Sequence, residues 1–369
     1  MVAVSQGMGG SAEVTIDARG QRVVPGFIDV HVHGVAGIDV MDDEHAVARV
    51  AALLPKYGVT AFCPTSIAST PDRLEALLNG VQQARQPGPA ARVLPAHLES
   101  NFINPDWAGA QPVGCLRTCR GPGAPGEFTG DDILRVIAKR RASVGIVTLA
   151  PELPGGIDLV RELVNHGHRV SIGHTGATYD DARAAIDAGA RHATHLFNRM
   201  TTSTSRAPGV VGAVLESDRV AAEIICDGVH VHPALVSAAI RLKTAKKMMA
   251  ITDGTAGVGL PIGARTRLGD RTIVVTDRCA LLDDGTMAGS VLSMDRAFRT
   301  LVTEFELPLS DAARMCATTP AHELGLTGQG EIAEGNLADL VVLTPDLRVR
   351  ETYLGGLPFQ GSRVPGFQG

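Results

Sequence analysis

Six side chains able to bind a metal or move a proton stand at the ends of short apolar runs, widely separated along a chain of 369 residues. His31 and His33 close the run Pro25-Gly26-Phe27-Ile28-Asp29-Val30-His31-Val32-His33-Gly34. If that run is a strand, a spacing of two puts both imidazoles on one side, where they can grip one metal. A His-x-His pair alone is weak; the apolar run before it and the glycine after it give it weight. Glu99 ends His97-Leu98-Glu99-Ser100-Asn101-Phe102, where a lone carboxylate would read as a helix cap or a solvated charge. His174 ends Ser171-Ile172-Gly173-His174-Thr175, and His195 ends His192-Ala193-Thr194-His195. Each of these, taken alone, reads equally well as a satisfied structural histidine. Asp253 follows Ile251-Thr252 and precedes Gly254. Brought together, two neutral imidazoles and a carboxylate leave an open coordination position, the pattern expected of catalytic zinc. Asp253 then supplies a base that can take a proton from metal-activated water and deliver it to a leaving amine. Iron, manganese and cobalt accept the same ligand types, so zinc is only the default.

Those side chains meet only if their runs are neighbouring strands. Eight short runs, at 27–32, 60–64, 92–97, 144–149, 169–172, 192–195, 219–225 and 247–252, alternate with amphipathic stretches at 44–56, 71–86, 129–141, 157–166, 178–189 and 232–244. This alternation predicts an α/β chain folded as a (β/α)8 TIM-like barrel, with reactive groups collected at the C-terminal ends of the strands. Asp72, Thr178 and Asp180 stand where helix caps or first turns are expected. The sixth crossover, 200–217, is rich in Thr, Ser, Pro and Gly and reads as a functional loop rather than a long helix. A hairpin is expected within 263–289, a helix over 310–317 with 321–324 as its continuation, and strands with turns over 331–342. A strand at 13–16 would let both ends pair into one small β-sandwich. The expected division is therefore a sandwich from 1–24 and 328–369 around a barrel of 25–327.

Composition narrows the function classes. Hydrophobic residues make up 44% and charged residues 20%, as in an ordinary globular chain. A net charge of −5 offers no general basic field, which argues against nucleic acid, and an anionic substrate would need locally placed cations. No apolar stretch is long enough to span a bilayer and no basic segment leads into an apolar run, so the expectation is a cytoplasmic protein without a membrane partner. The six cysteines are too scattered for a disulfide framework, and Cys115 with Cys119 lacks a second pair for structural zinc. No phosphate-cradling Walker motif and no Gly-x-Ser-x-Gly elbow is present.

The ordered set His31-Val32-His33-Gly34, His97-Leu98-Glu99, Gly173-His174-Thr175, His195-Leu196-Phe197-Asn198, Asp227-Gly228-Val229-His230 and Thr252-Asp253-Gly254-Thr255 resembles the N-acetylglucosamine-6-phosphate deacetylases of the amidohydrolase superfamily. Ala288-Gly289-Ser290 and Gly335-Asn336-Leu337-Ala338-Asp339-Leu340-Val341 extend the match toward the C-terminus. The resemblance implies a principal metal on Glu99, His174 and His195, a second on His31 and His33, and Asp253 as catalytic acid/base. It implies that His230 orients or polarises the substrate amide, and that Asn198 and the backbone after it, at Arg199, contact the sugar phosphate. Arg206, in Ser205-Arg206-Ala207-Pro208-Gly209, resembles an arginine that reaches the phosphate bound by a neighbouring subunit, which implies a homodimer. The implied reaction is hydrolysis of N-acetylglucosamine-6-phosphate to glucosamine-6-phosphate and acetate. Ser100-Asn101 stands where the family has Gly-Pro, and 111–125 matches it poorly, so the turn beside the metal is expected to differ.

Two other readings stay open. Amidohydrolases acting on cyclic amides commonly use a carboxylated lysine at the fourth strand; here that strand ends Ile146-Val147-Thr148-Leu149-Ala150, without lysine, so any bridging role falls to Glu99. A non-catalytic scaffold on the same fold would be expected to lose ligands, yet all are present.

Overall fold

Strands covered on both faces need apolar side chains in both directions, and this chain's runs have them. Every residue of Phe27–Val32, Val59–Ser66, Ala96–Glu99, Ala221–Ile225 and Met248–Ile251 is buried. With Val144–Leu149, Arg169–Ile172 and His192–Ala193 they make eight parallel strands in chain order. Closure joins the eighth strand's end to the first: Asp253 N–H donates to the His31 carbonyl at 3.1 Å, and His33 N–H to the Gly254 carbonyl at 2.8 Å. The computed structural model describes residues 15–85, 88–121 and 126–360. The expected run 92–97 is split into Arg92–Val93 and Ala96–Glu99. Pro95, which has no N–H for a ladder, stands between them.

Helices Ala46–Leu53, Pro71–Ala84, Gly130–Lys139, Gly156–Asn165, Tyr179–Ala188 and Pro233–Lys243 follow strands, each burying one apolar face. Thr129 with Asp132, and Thr178 with Asp181, form reciprocal capping boxes that satisfy first-turn N–H groups. The sixth crossover corrects the sequence reading. Only its first half is loop; Gly209–Glu216 is helical because Val210, Val211, Ala213 and Val214 form an apolar stripe against the barrel. The expected hairpin in 263–289 is a three-stranded antiparallel sheet of Arg265–Leu268, Arg271–Val275 and Ala280–Leu282.

Strands near the two limits of the described residues pair with each other. Arg22–Pro25 pairs antiparallel with Leu340–Leu343, which continues to Val349–Leu354 and Leu357–Pro358 in a four-stranded sheet. The strand expected at 13–16 falls partly outside the described residues, and Ile16 lies in no strand. Among the described residues no helix is long and apolar enough to cross a membrane.

Candidate active site

The backbone bends at the strand ends in a way that most residues avoid. His174, His195 and Asp253 have φ of 48°, 30° and 48°, the left-handed region where a Cβ is crowded. Non-glycine residues persist there only where surrounding structure holds them, which is common at functional sites. Here each bend turns a side chain into the barrel mouth. A buried loop secures the Asp253 bend: Ser290 N–H donates to the Asp253 carbonyl at 2.8 Å and Ser290 Oγ to the Thr252 carbonyl at 2.5 Å. Gly289 precedes it because a Cβ there would lie 2.6 Å from Thr255 Cγ2 and 2.9 Å from the Asp253 carbonyl oxygen.

Glu99, His174 and His195, from the third, fifth and sixth strands, converge. Glu99 Oε1 is 2.7 Å from His174 Nε2 and 2.8 Å from His195 Nε2, and the two Nε2 atoms are 3.1 Å apart. His31 and His33 converge with Asp253: their Nε2 atoms are 3.2 Å apart and lie 3.3 and 3.1 Å from Asp253 Oδ1. Glu99 stands between the groups, its Oε2 3.6 Å from His33 Nε2. Facing imidazole nitrogens repel unless a proton or a cation lies between them. Ligands about 2.0–2.1 Å from one tetrahedral zinc are about 3.3 Å from each other, close to the 3.1–3.3 Å spacing of His31, His33 and Asp253, while Glu99, His174 and His195 stand closer together, at 2.7–3.1 Å. A third cluster, His31, His97 and Glu223, is a poorer candidate. His97 is already engaged at both nitrogens, with the Val30 carbonyl at 3.0 Å and Thr148 Oγ1 at 2.8 Å.

The electrostatics favour a positive charge at this point. Burial alone would raise the Glu99 carboxyl, but the adjacent His174 charge and hydrogen bonds from His174 and His195 hold it well below the usual range. Asp253 is likewise lowered against burial by His31 and His33. Burial opposes protonation of His33 and His195, yet the carboxylates of Asp253 and Glu99 respectively raise both to about 9. Burial dominates at His31 and lowers it to about 4. Anionic carboxylates among imidazoles that attract protons form a pocket a divalent cation can fill in the protons' place, so the donor set fits the metal that the sequence implied.

Outside these groups, His230 Nδ1 is 2.6 Å from Asp227 Oδ2, while Asp227 Oδ1 accepts from Val229 and His230 N–H at 2.9 Å each. Its Nε2 is buried without a hydrogen-bond partner. Asn198 turns partly onto its own loop, its Nδ2 donating to the His195 carbonyl at 3.1 Å. Arg199 is exposed at φ 50°, and its carbonyl accepts from Thr175 N–H at 3.0 Å. Arg206 is exposed on the loop before Gly209–Glu216, apart from the metal ligands. Ser100 and Asn101 do build a specific turn: Ser100 Oγ donates to the Thr148 carbonyl, and Asn101 Nδ2 to the Ser69 and Cys115 carbonyls at 2.7 Å. That last bond ties the atypical segment to the rim of the site. Cys115 and Cys119 are free thiols.

Sequence reasoning missed two groups. Gln111 is buried, donates from Nε2 to Glu99 Oε2, and accepts from Ala68 N–H at 2.8 Å. Nothing about a glutamine in a loop signals this. Glu223 is fully buried in the seventh strand, its Oε2 3.0 Å from His31 Nδ1 and 3.3 Å from His195 N. Here a signal existed, since a glutamate within Ala221-Ala222-Glu223-Ile224-Ile225 must find partners once the strand is buried. Burial pushes its carboxyl up to about 7 against the pull of His97 and His195.

Comparison with known proteins agrees with this architecture. Residues 22–358 match the amidohydrolase family model. The chain is 34% identical over 347 residues to an N-acetylglucosamine-6-phosphate deacetylase of Lysinibacillus sphaericus, covering 92% of this chain and 86% of that protein. It is also 34% identical to an N-acetylgalactosamine-6-phosphate deacetylase of Escherichia coli O157:H7, covering 91% of this chain and 87% of that protein. The solved N-acetyl-D-glucosamine-6-phosphate deacetylase of Mycobacterium smegmatis superposes with a TM-score of 0.85 at 35% identity, over 97% of this chain and 92% of that one. A closed parallel barrel, imidazole and carboxylate ligands at its mouth and identity across almost the whole length lead to one assignment: the chain belongs to the amidohydrolase family and is closely related to the N-acetylglucosamine-6-phosphate deacetylases.

Proposed function

We propose that the chain hydrolyses the acetamide of an N-acetylhexosamine-6-phosphate, with N-acetylglucosamine-6-phosphate as the preferred substrate, to the amino sugar phosphate and acetate. The observation that carries this is the convergence of Glu99, His174 and His195 beside His31, His33 and Asp253. One or two divalent metals, zinc by default, supply an acidified water and a polarised carbonyl when bound. Glu99, His174 and His195 would hold the principal ion; His31, His33 and Asp253 would hold a second. Asp253 takes the proton of the attacking water as its oxygen bonds to the acetyl carbon. Asp253 then returns that proton to the amide nitrogen as the C–N bond breaks, freeing acetate and the amine.

His230 fits a donor to the substrate carbonyl. Burial works against its protonation, but Asp227 outweighs this and raises its proton affinity, which favours the form that also carries a proton on Nε2. Asn198 and the backbone at Arg199 lie on the loop after His195, where the sugar phosphate would sit. Arg206 of a neighbouring copy would meet that phosphate in a homodimer, guanidinium being suited to bidentate contact. The galactosamine relative favours a second reading, in which the C4 epimer is the better substrate.

The test is acetate release by zinc-loaded protein from both epimers, with elemental analysis of the same sample. Faster turnover of the gluco epimer supports the first reading, and faster turnover of the galacto epimer supports the second. No release from either, with hydrolysis of some other amide, removes the assignment.

A further inference from the structure

We infer that Glu223 is a positioning residue that holds the two halves of the metal centre in register, through one carboxyl oxygen that bonds both the His31 imidazole and the His195 backbone. This rests on the metal reading above. Glu223 Oε2 accepts from His31 Nδ1–H at 3.0 Å and from His195 N–H at 3.3 Å. The first bond fixes the His31 tautomer. With Nδ1 carrying the proton, the Nε2 lone pair is left facing His33 Nε2 and Asp253 Oδ1. The second bond holds the backbone at a residue whose φ of 30° is unfavourable without support. His31 belongs to one ligand group and His195 to the other, so a single atom links them.

The surroundings leave Glu223 little other work. It is wholly buried and its second oxygen has no hydrogen-bond partner, with His97 Nδ1 no nearer than 3.7 Å. A buried carboxyl kept with one oxygen unsatisfied is costly, and a purely structural position in an apolar strand would be filled better by an apolar residue. The cost makes sense if the other oxygen orients a ligand. Residues that hydrogen-bond a ligating histidine from behind typically change metal affinity by about 10–100-fold when removed.

Two variants separate the roles. Glu223→Gln keeps an oxygen able to accept both N–H groups, whereas Glu223→Met fills the space and accepts neither. Zinc affinity would be measured by competition with a chromophoric chelator, and stoichiometry by elemental analysis, with the melting temperature of the metal-free proteins recorded beside them. The expected result is about 10–100-fold weaker binding at one or both sites in Glu223→Met, and affinity within a few-fold of wild type in Glu223→Gln. Wild-type affinity and stoichiometry in a folded Glu223→Met overturn the inference. Equal loss in both variants also overturns it, because charge and not hydrogen-bond geometry would then be responsible.

Should Glu223→Met not fold, the imidazole N–H proton spectrum of the wild-type protein decides. A downfield Nδ1–H resonance that moves in Glu223→Gln supports the inference, and its absence sinks it. Failure of wild-type protein to bind zinc would instead remove the metal reading on which all this stands.

Discussion

In the proposed mechanism Asp253 has two demands on it, since it lies within reach of His31 and His33 and would also take the proton of the attacking water. Its carboxylate is held ionised by those imidazoles, as a proton acceptor must be before reaction. Asp253→Asn keeps the shape and removes the basicity. Turnover is expected to fall by about 10²–10⁴-fold, while at least the ion on Glu99, His174 and His195 stays bound; acetate release and metal content measured on one preparation check both halves. Near-normal turnover would exclude the proton-transfer role. His230→Gln tests the second polar group. If its Nε2–H stabilises charge on the carbonyl oxygen, kcat should drop by about 10²–10³-fold with KM changed far less. A rise in KM alone would make it a substrate-binding residue. Asp253 was legible in sequence as a carboxylate closing an apolar run, whereas His230, beyond the end of Ala221–Ile225, was legible only through the family resemblance. Glu223 and Gln111 were not seen, since their importance lies in which atoms they touch.

At the scale of elements, the crossover of residues 200–217 is where sequence and structure part. Its Thr, Ser and Pro content points to a loop, and 201–208 is one, exposed and carrying Arg206. The apolar spacing that makes Gly209–Glu216 a helix is only two turns long, too short to stand out beside so many turn-forming residues. Arg206 belongs to this scale because, in the proposed homodimer, it would act through the placement of its loop against another copy. Arg206→Ala should raise KM for the phosphorylated sugar by roughly 10–100-fold, the worth of a charged hydrogen bond. Turnover of unphosphorylated N-acetylglucosamine, which lacks the group Arg206 would bind, should be unaffected. Steady-state kinetics with both substrates, and sedimentation to define the oligomer, decide it; equal effects on both substrates would reject phosphate recognition.

For the whole molecule, metal and pH act through the same buried centre and its neighbours. An ion that binds the folded chain only should stabilise it, by about 4 kcal/mol at a thousand times its dissociation constant. Chelation should therefore lower the melting temperature, and zinc should restore it; an unchanged transition would mean that the cluster is not occupied. Acid sensitivity has a second source in His192, wholly buried in the sixth strand, neither ring nitrogen hydrogen-bonded. Burial, with Arg169, His97 and Lys247 adding to it, lowers this imidazole to about 3 from an ordinary 6.5. The unfolded chain thus takes up a proton first as pH falls below about 6.5. The stability His192 allows is full above that pH and is lost progressively toward pH 3, on the order of 3 kcal/mol by pH 4. In urea unfolding of chelated protein, His192→Met should lose less stability between pH 7 and pH 4 than wild type, and equal losses would refute the assignment.

Local chemistry could be read from the chain because some demands are local. Apolar runs of strand length, the His-x-His spacing and carboxylates or imidazoles at run ends each follow from what a few neighbouring residues must do, and they sufficed for the barrel and for the six groups at its mouth. Tertiary structure alone decided the left-handed turns at His174, His195 and Asp253, that it is Arg22–Pro25 which meets the C-terminal strands, and the bonds from Gln111 and Glu223 to the ligands. Those depend on atoms brought together from distant positions. His31 and Glu223, 192 residues apart, share a hydrogen bond only because the barrel closes.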